Sequence, residues 1–92
     1  MKLTPEQLLE RVKTALNITG EYHNGRIKAL VEEVKGYMAN AGVPAAVLET
    51  DAVVGTIALG VDSIMEHGAL SQYVISRIIQ LRLTPTTEEA SG

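Results

Sequence analysis

Apolar residues recur at steps of three and four positions along most of the chain, which is the period of an amphipathic helix. The first such segment predicts a helix over residues 5–17. It opens on Thr4-Pro5-Glu6-Gln7, a capping box with proline at the first helical position. The second segment predicts a helix over residues 25–41. Asn24 is its expected N-cap, and Gly42 is expected to end it by adopting the left-handed backbone conformation.

The third predicted helix covers residues 51–67, begins after the capping residue Thr50 and ends at Gly68. It is apolar around most of its circumference, which is typical of a buried central helix. Gly55 and Gly60 within it predict the close approach of a neighbouring backbone, since each glycine costs about 1 kcal/mol of helix propensity. The preceding residues 45–48 allow at most one helical turn.

A fourth helix is predicted over residues 71–81, with Ser71 as its cap. Its apolar stripe consists of Val74, Ile75, Ile78 and Ile79. Beyond Gln80 the pattern changes to the two-residue period of a strand, and a proline follows. The residues of this predicted extended arm are Leu81, Arg82, Leu83, Thr84 and Pro85.

These elements predict an all-α fold, a compact bundle of four main helices with a short extended C-terminal arm. A chain of 92 residues is long enough for one modest core, so we expect a single domain. We place a helical domain at residues 1–83. Residues 84–92 are mostly polar and are expected to form a flexible tail.

Composition narrows the possible functions. The net charge of −3 and the dispersed basic residues argue against a general nucleic-acid binder, which needs clustered cations. The chain contains no cysteine, so thiol nucleophiles and thiolate metal sites are excluded. Its only aromatic residues are three tyrosines, which are a poor platform for stacking bases. No signal peptide or membrane span is evident, so we expect a cytoplasmic protein without a membrane partner.

Candidate chemistry is sparse. His23 and His67 lie near predicted helix ends and have no metal-binding or catalytic spacing around them. Asp62 and Glu66 stand one turn apart, a spacing compatible with holding a cation, but they are expected to be solvated acids on the exposed edge of the third helix. Ser71 lacks the surroundings of a nucleophilic serine and is better explained as a cap. We therefore predict no catalytic, metal-binding or cofactor-binding residues, no cofactor, and no enzymatic activity.

A helix-turn-helix motif is disfavoured by the connection between the second and third helices. About eight residues around Pro44 join them, whereas the motif needs a turn of about 3–4 residues. A recognition helix also needs polar and basic residues toward the DNA groove. The third predicted helix has the opposite composition.

The order of helix lengths and stops resembles that of the small head–tail connector (adaptor) proteins of long-tailed bacteriophages. The resemblance covers roughly residues 6 to 83. The first similar feature is the helix from Leu8 to Leu16, which leads into Ile18-Thr19, and the second is the amphipathic helix from Arg26-Ile27 to Met38, which stops at Ala41-Gly42-Val43. A helix rich in Val, Ile and Gly follows. The last helix begins at Leu70-Ser71 and contains Arg77-Ile78-Ile79-Gln80-Leu81.

The resemblance implies a structural subunit of the virion neck, made in the bacterial host cytoplasm. Such subunits assemble with copies of themselves into a ring, typically twelve-fold, beneath the portal protein. The ring extends the channel through which DNA passes without sequence-specific contact. It also presents a platform for the next neck or tail-completion protein. The C-terminal region of such connectors commonly engages the portal, so the resemblance assigns the arm at residues 81–85 to portal docking.

A cyclic ring needs two different faces of each subunit to meet. One small bundle is not expected to bury all the apolar surface of its third and fourth helices. We therefore predict that part of this surface faces the neighbouring subunit, and the candidate interface residues are Val74, Ile75, Ile78 and Ile79.

Two other functions stay open. One is a small helical DNA-binding regulator or antitoxin-like protein, whose binding to duplex DNA would depend steeply on salt. The other is an accessory subunit that copurifies with a larger catalytic chain.

Overall fold

The computed structural model describes residues 3–83, and every regular element within them is helical. The all-α prediction is therefore confirmed. The elements are α1 (Pro5–Ala15), α2 (Asn24–Asn40), α3 (Ala45–Leu48), a 3-10 turn (Asp51–Val53), α4 (Val54–His67) and α5 (Gln72–Arg82). In the described part of the chain, no helix has both the length and the apolar character needed to cross a membrane.

The predicted capping box of α1 is confirmed. The Thr4 hydroxyl accepts a hydrogen bond from the Gln7 amide at 3.1 Å, and the Gln7 side chain accepts one from the Thr4 amide at 2.9 Å. The helix ends earlier than predicted, with Leu16 as its cap. Asn17 then adopts a left-handed conformation with φ of 59°, which stops the helix before residue 17.

At the other helix ends, two predicted glycine stops and one predicted serine cap are confirmed, and one predicted cap is wrong. Gly42 and Gly68 have φ of +100° and +78°, so both are left-handed stops. The Ser71 hydroxyl accepts a hydrogen bond from the Val74 amide at 3.3 Å and caps α5. The prediction that Asn24 caps the second helix is wrong. Asn24 is the first helical residue, and His23 precedes it without a side-chain capping bond.

Helix α4 is the central element, as predicted, because it packs against α1, α2 and α5. The core consists of aliphatic side chains and one methionine. Its fully buried members include Val12, Ile27, Val34, Met38, Val53, Ile57, Val61 and Ile78. One face of α4 nevertheless faces solvent, and it carries Leu59, Asp62 and Glu66. Residues 51–53, predicted as part of this helix, form the 3-10 turn before it, and the Thr50 hydroxyl accepts from the Ala52 amide.

The two glycines of α4 differ. A Cβ atom built on Gly60 would lie 3.0 Å from both γ-methyls of Val34, so a neighbouring group does approach closely there. That group is a side chain of α2, so the predicted approach of a neighbouring backbone is wrong. A Cβ atom on Gly55 would meet nothing within 4 Å, so the prediction of close approach at that position is wrong.

The predicted extended arm is wrong for the residues that the structure describes. Helix α5 continues through Arg82, and the Leu83 amide closes the last turn by donating to the Gln80 carbonyl at 3.1 Å. Leu81 follows the buried Ile78 by three residues, and residues three apart lie on the same face of a helix. Because α5 continues through this position, the Leu81 side chain packs against the core. An alternation over four residues is too short to outweigh that packing. Thr84 and Pro85 lie outside the described residues.

Candidate functional site

Of the polar residues considered as candidate chemistry, Asp62, Glu66, His67 and Ser71 line one surface groove between α4 and α5, and His23 does not belong to that groove. His67 is exposed, and its Nε2 atom lies 3.8 Å from the carboxylate of the adjacent Glu66. His23 is also exposed and contacts the ring of Tyr22 edge-on, with 4.7 Å between ring centroids. Between residues 3 and 83, no group of three or more His, Cys, Asp or Glu side chains is placed to hold a metal ion.

A buried hydroxyl sets the position of α5 relative to α4. The Ser63 Oγ atom donates a hydrogen bond to the Ala69 carbonyl at 2.7 Å and accepts one from the Ser71 amide at 2.9 Å. Both bonds cross the short connection between the two helices. Since Ser71 also caps α5, this pair of serines fixes where α5 begins and which of its faces meets the core.

The structure divides the four predicted interface residues into two pairs. Val74 and Ile78 are buried in the subunit's own core, so neither presents surface to a neighbour in this arrangement. Ile75 is half-buried, and Ile79 leaves 42% of its surface exposed. Only Ile75 and Ile79 are therefore available on the surface of the subunit.

Leu83, which the sequence predicts as part of the extended arm, lies on the same side of α5 as Ile75 and Ile79. Leu83 stands four residues after Ile79 and is 72% exposed. Ile75, Ile79 and Leu83 thus lie at successive intervals of four along one flank of α5, and we call them the α5 stripe. The stripe becomes more exposed toward the C-terminal end of the helix.

A groove borders the N-terminal end of the α5 stripe. It lies between α2, the end of α4 and α5, and has a volume of about 360 Å³. Its lining includes Glu33, Val34, Tyr37, Ile64, Leu70 and Ile75. Tyr37 is partly exposed, so its ring adds apolar surface beside the stripe. The stripe and the groove form one continuous candidate contact surface.

The described residues of the predicted portal-binding arm have different environments. Leu81 is half-buried and packs against the core. Arg82 is exposed, and its aliphatic carbons lie over Gly42, where an added Cβ atom would come within 2.9 Å of the Arg82 Cδ atom. Leu83 belongs to the α5 stripe. Only Arg82 and Leu83 therefore present much surface to a partner.

Sequence reasoning missed Tyr37 as part of this surface. Its signal is present in the chain, because Tyr37 follows the buried Val34 by three residues and lies on the flank of the apolar face of α2. That spacing does not say which neighbouring helix the flank will meet. The groove exists only because α5 lies beside it.

Comparisons of the chain with protein-family models, with curated protein sequences and with solved structures find no match.

Proposed function

We propose that this chain is a structural subunit of the neck of a long-tailed bacteriophage, where copies of it form a ring beneath the portal protein. The proposal includes the finer description of the fold, in which α1, α2, α4 and α5 act as a bundle of four main helices. It is supported by the resemblance over residues 6 to 83 and by the apolar surface along α5.

The observation that carries the proposal is the α5 stripe. Single exposed apolar residues are common on soluble proteins and need no explanation. Here Ile79 and Leu83 stand on one helix flank beside the half-buried Ile75, and the groove at Tyr37 extends the same surface. Removing this surface from water gains about 25 cal/mol for each Å² of apolar area. A neighbouring protein that covers the stripe provides that gain.

In the ring, the stripe of each subunit contacts a different face of the next one, because a cyclic arrangement uses a heterologous interface. The ring is expected to be twelve-fold, as in the proteins that the chain resembles. It surrounds the channel through which DNA passes, without reading its sequence. The portal protein contacts one side of the ring, and the next neck or tail-completion protein contacts the other.

A pair of variants tests this proposal. Ile79→Asp places a charge in the middle of the stripe, so we expect the association constant between subunits to fall at least about tenfold, which corresponds to 1.4 kcal/mol. Gln80→Asp is the matched control, since it adds the same charge at the adjacent exposed position of α5. The measurements are circular dichroism for folding, and sedimentation velocity with electron microscopy for rings formed with the portal protein of the same genome.

The proposal is supported if Ile79→Asp stays folded but forms no rings while Gln80→Asp forms them normally. A folded Ile79→Asp variant that assembles like the unaltered chain would contradict it. Binding of the unaltered chain to duplex DNA with a steep loss of affinity in salt would instead support the DNA-binding regulator.

A further inference from the structure

A second surface groove lies on the other side of α5 from the stripe. It runs between the exposed face of α4 and the first turn of α5, with a volume of about 150 Å³. The residues that define its character are Leu59, Asp62, Glu66 and Tyr73, and we call it the α4 groove. Leu59 is 37% exposed and Tyr73 is 60% exposed, so two apolar side chains remain in contact with water there.

The α4 groove is acidic on its α4 side. Asp62 and Glu66 stand one helical turn apart, and both are exposed. In the described part of the chain, Asp62 has no ion pair, and Glu66 has only the neighbouring His67. Across the groove, Arg77 donates a hydrogen bond to the Tyr73 hydroxyl at 3.1 Å and lies 6.0 Å from the ring centroid. Arg77 therefore holds the tyrosine ring in place rather than neutralising the two acids.

At the C-terminal end of α5, exposed apolar residues lie beside a basic side chain instead of acidic ones. This helix contains two arginines and no acidic residue, although the whole chain has a net charge of −3. Arg82 is adjacent to Ile79 on the helix surface and forms no ion pair within residues 3–83. The exposed ends of Ile79 and Leu83 thus lie beside an arginine, while the exposed Leu59 and Tyr73 lie beside Asp62 and Glu66, neither of which is paired with an arginine or lysine in the described part of the chain.

We infer that the α4 groove of one copy receives the C-terminal end of α5 from a second copy. Ile79 and Leu83 of one copy pack against Leu59 and Tyr73 of the other, and Arg82 faces Asp62 and Glu66. This inference rests on the proposed function and identifies the second of the two faces that a ring requires.

The geometry of α5 makes this contact heterologous. At 100° and 1.5 Å for each residue, Ile79 lies about 120° around the helix from Tyr73, and Leu83 lies about 80° around it and about 15 Å further along the axis, so the two surfaces are separated in direction and in position. A subunit that docks its stripe into a neighbour keeps its own α4 groove free for another copy. Such contacts continue from subunit to subunit and close into a ring when the rotation allows it.

Cysteine cross-linking tests whether the α5 stripe of one copy meets the α4 groove of another. The chain has no cysteine of its own, so every disulfide formed must involve the introduced residues. Two single variants of the full chain are prepared, Leu59→Cys and Leu83→Cys, one of them carrying a mass tag. They are mixed under mild oxidation. We expect the mixed disulfide to exceed the proportion given by random collision, because the two thiols meet at the interface. Tyr22→Cys is the control, since Tyr22 is 93% exposed and lies in neither surface.

Charge reversal tests the attraction between Arg82 of one copy and Asp62 of the other. Asp62→Arg should reduce the mixed disulfide severalfold, and its combination with Arg82→Asp in the partner should restore it. Added salt should weaken the unaltered pair, because the charges are exposed. Circular dichroism of each variant confirms that α5 is intact. No mixed disulfide above that formed with Tyr22→Cys, or symmetrical dimers alone, would overturn the inference.

The outcomes separate this inference from the proposed function. Rings that form on the portal without cross-linking between positions 59 and 83 would reject this pairing and leave the neck function standing. Cross-linking without any binding to the portal would support the pairing and reject the neck function.

Discussion

Gly60 of α4 lies directly against the side chain of Val34 of α2. A Cβ atom on Gly60 would be 3.0 Å from both γ-methyls of Val34 and 3.3 Å from a methyl of Leu70. Val34 is fully buried and β-branched, so it has little freedom to turn away. The contact sets how closely the central helix approaches α2, and Val34 and Leu70 also line the groove beside the α5 stripe.

The first prediction concerns this contact. Gly60→Ala should lower the free energy of unfolding by about 1–2 kcal/mol, because overpacking against Val34 and Leu70 outweighs the gain in helix propensity. Gly36→Ala is the matched control in α2, where an added Cβ atom meets nothing within 4 Å. It should raise the free energy of unfolding by about 0.5–1 kcal/mol.

Urea denaturation followed by circular dichroism measures both changes. Equal stabilisation of the protein by the two substitutions would show that α2 and α4 do not meet closely at Gly60.

The second prediction concerns the hydroxyl that joins α4 to α5. Ser63→Ala removes two hydrogen bonds from a buried position, so it should cost about 1–2 kcal/mol of unfolding free energy. Ser76→Ala is the control, because Ser76 is exposed on α5, and it should change stability by less than about 0.5 kcal/mol. Thermal and urea unfolding provide the comparison. If both variants unfold like the unaltered chain, Ser63 does not hold the start of α5.

The third prediction separates the end of α5 from the residues that follow it. A chain ending at Gln80 loses Leu81, which packs against the core, so it should be less stable by about 1–2 kcal/mol. A chain ending at Leu83 keeps every described core contact and should fold with unchanged stability. We expect the chain that ends at Leu83 to bind the portal more weakly than the full chain does, because it lacks Thr84 and Pro85. Unchanged portal affinity would remove residues 84–92 from docking.

Local signals in the sequence were enough to predict most of the helices. Thr4, Gly42, Gly68 and Ser71 act on backbone groups within a few residues, so their roles do not depend on the rest of the fold. The central position of α4 was predictable because apolar residues cover most of the circumference of this helix.

The candidate surface was harder to predict, because it depends on how the helices pack. Val74 and Ile78 belong to the same sequence pattern as Ile75 and Ile79, yet one pair is buried and the other reaches solvent. The two pairs are about 100° apart around α5, so the rotation of the helix about its own axis decides which pair is buried, and no local signal specifies that rotation. Leu83 was misassigned to an extended arm because a short alternation is compatible with either period.

Electron microscopy of the full chain mixed with the portal protein of the same genome tests the neck function most directly. We expect an additional ring, coaxial with the portal and built from copies of this chain, typically twelve. Ile79→Asp should remove this ring from the images, and Gln80→Asp should leave it in place. Portal particles that look the same with and without the chain, while the chain sediments separately, would show that this protein is not a neck subunit.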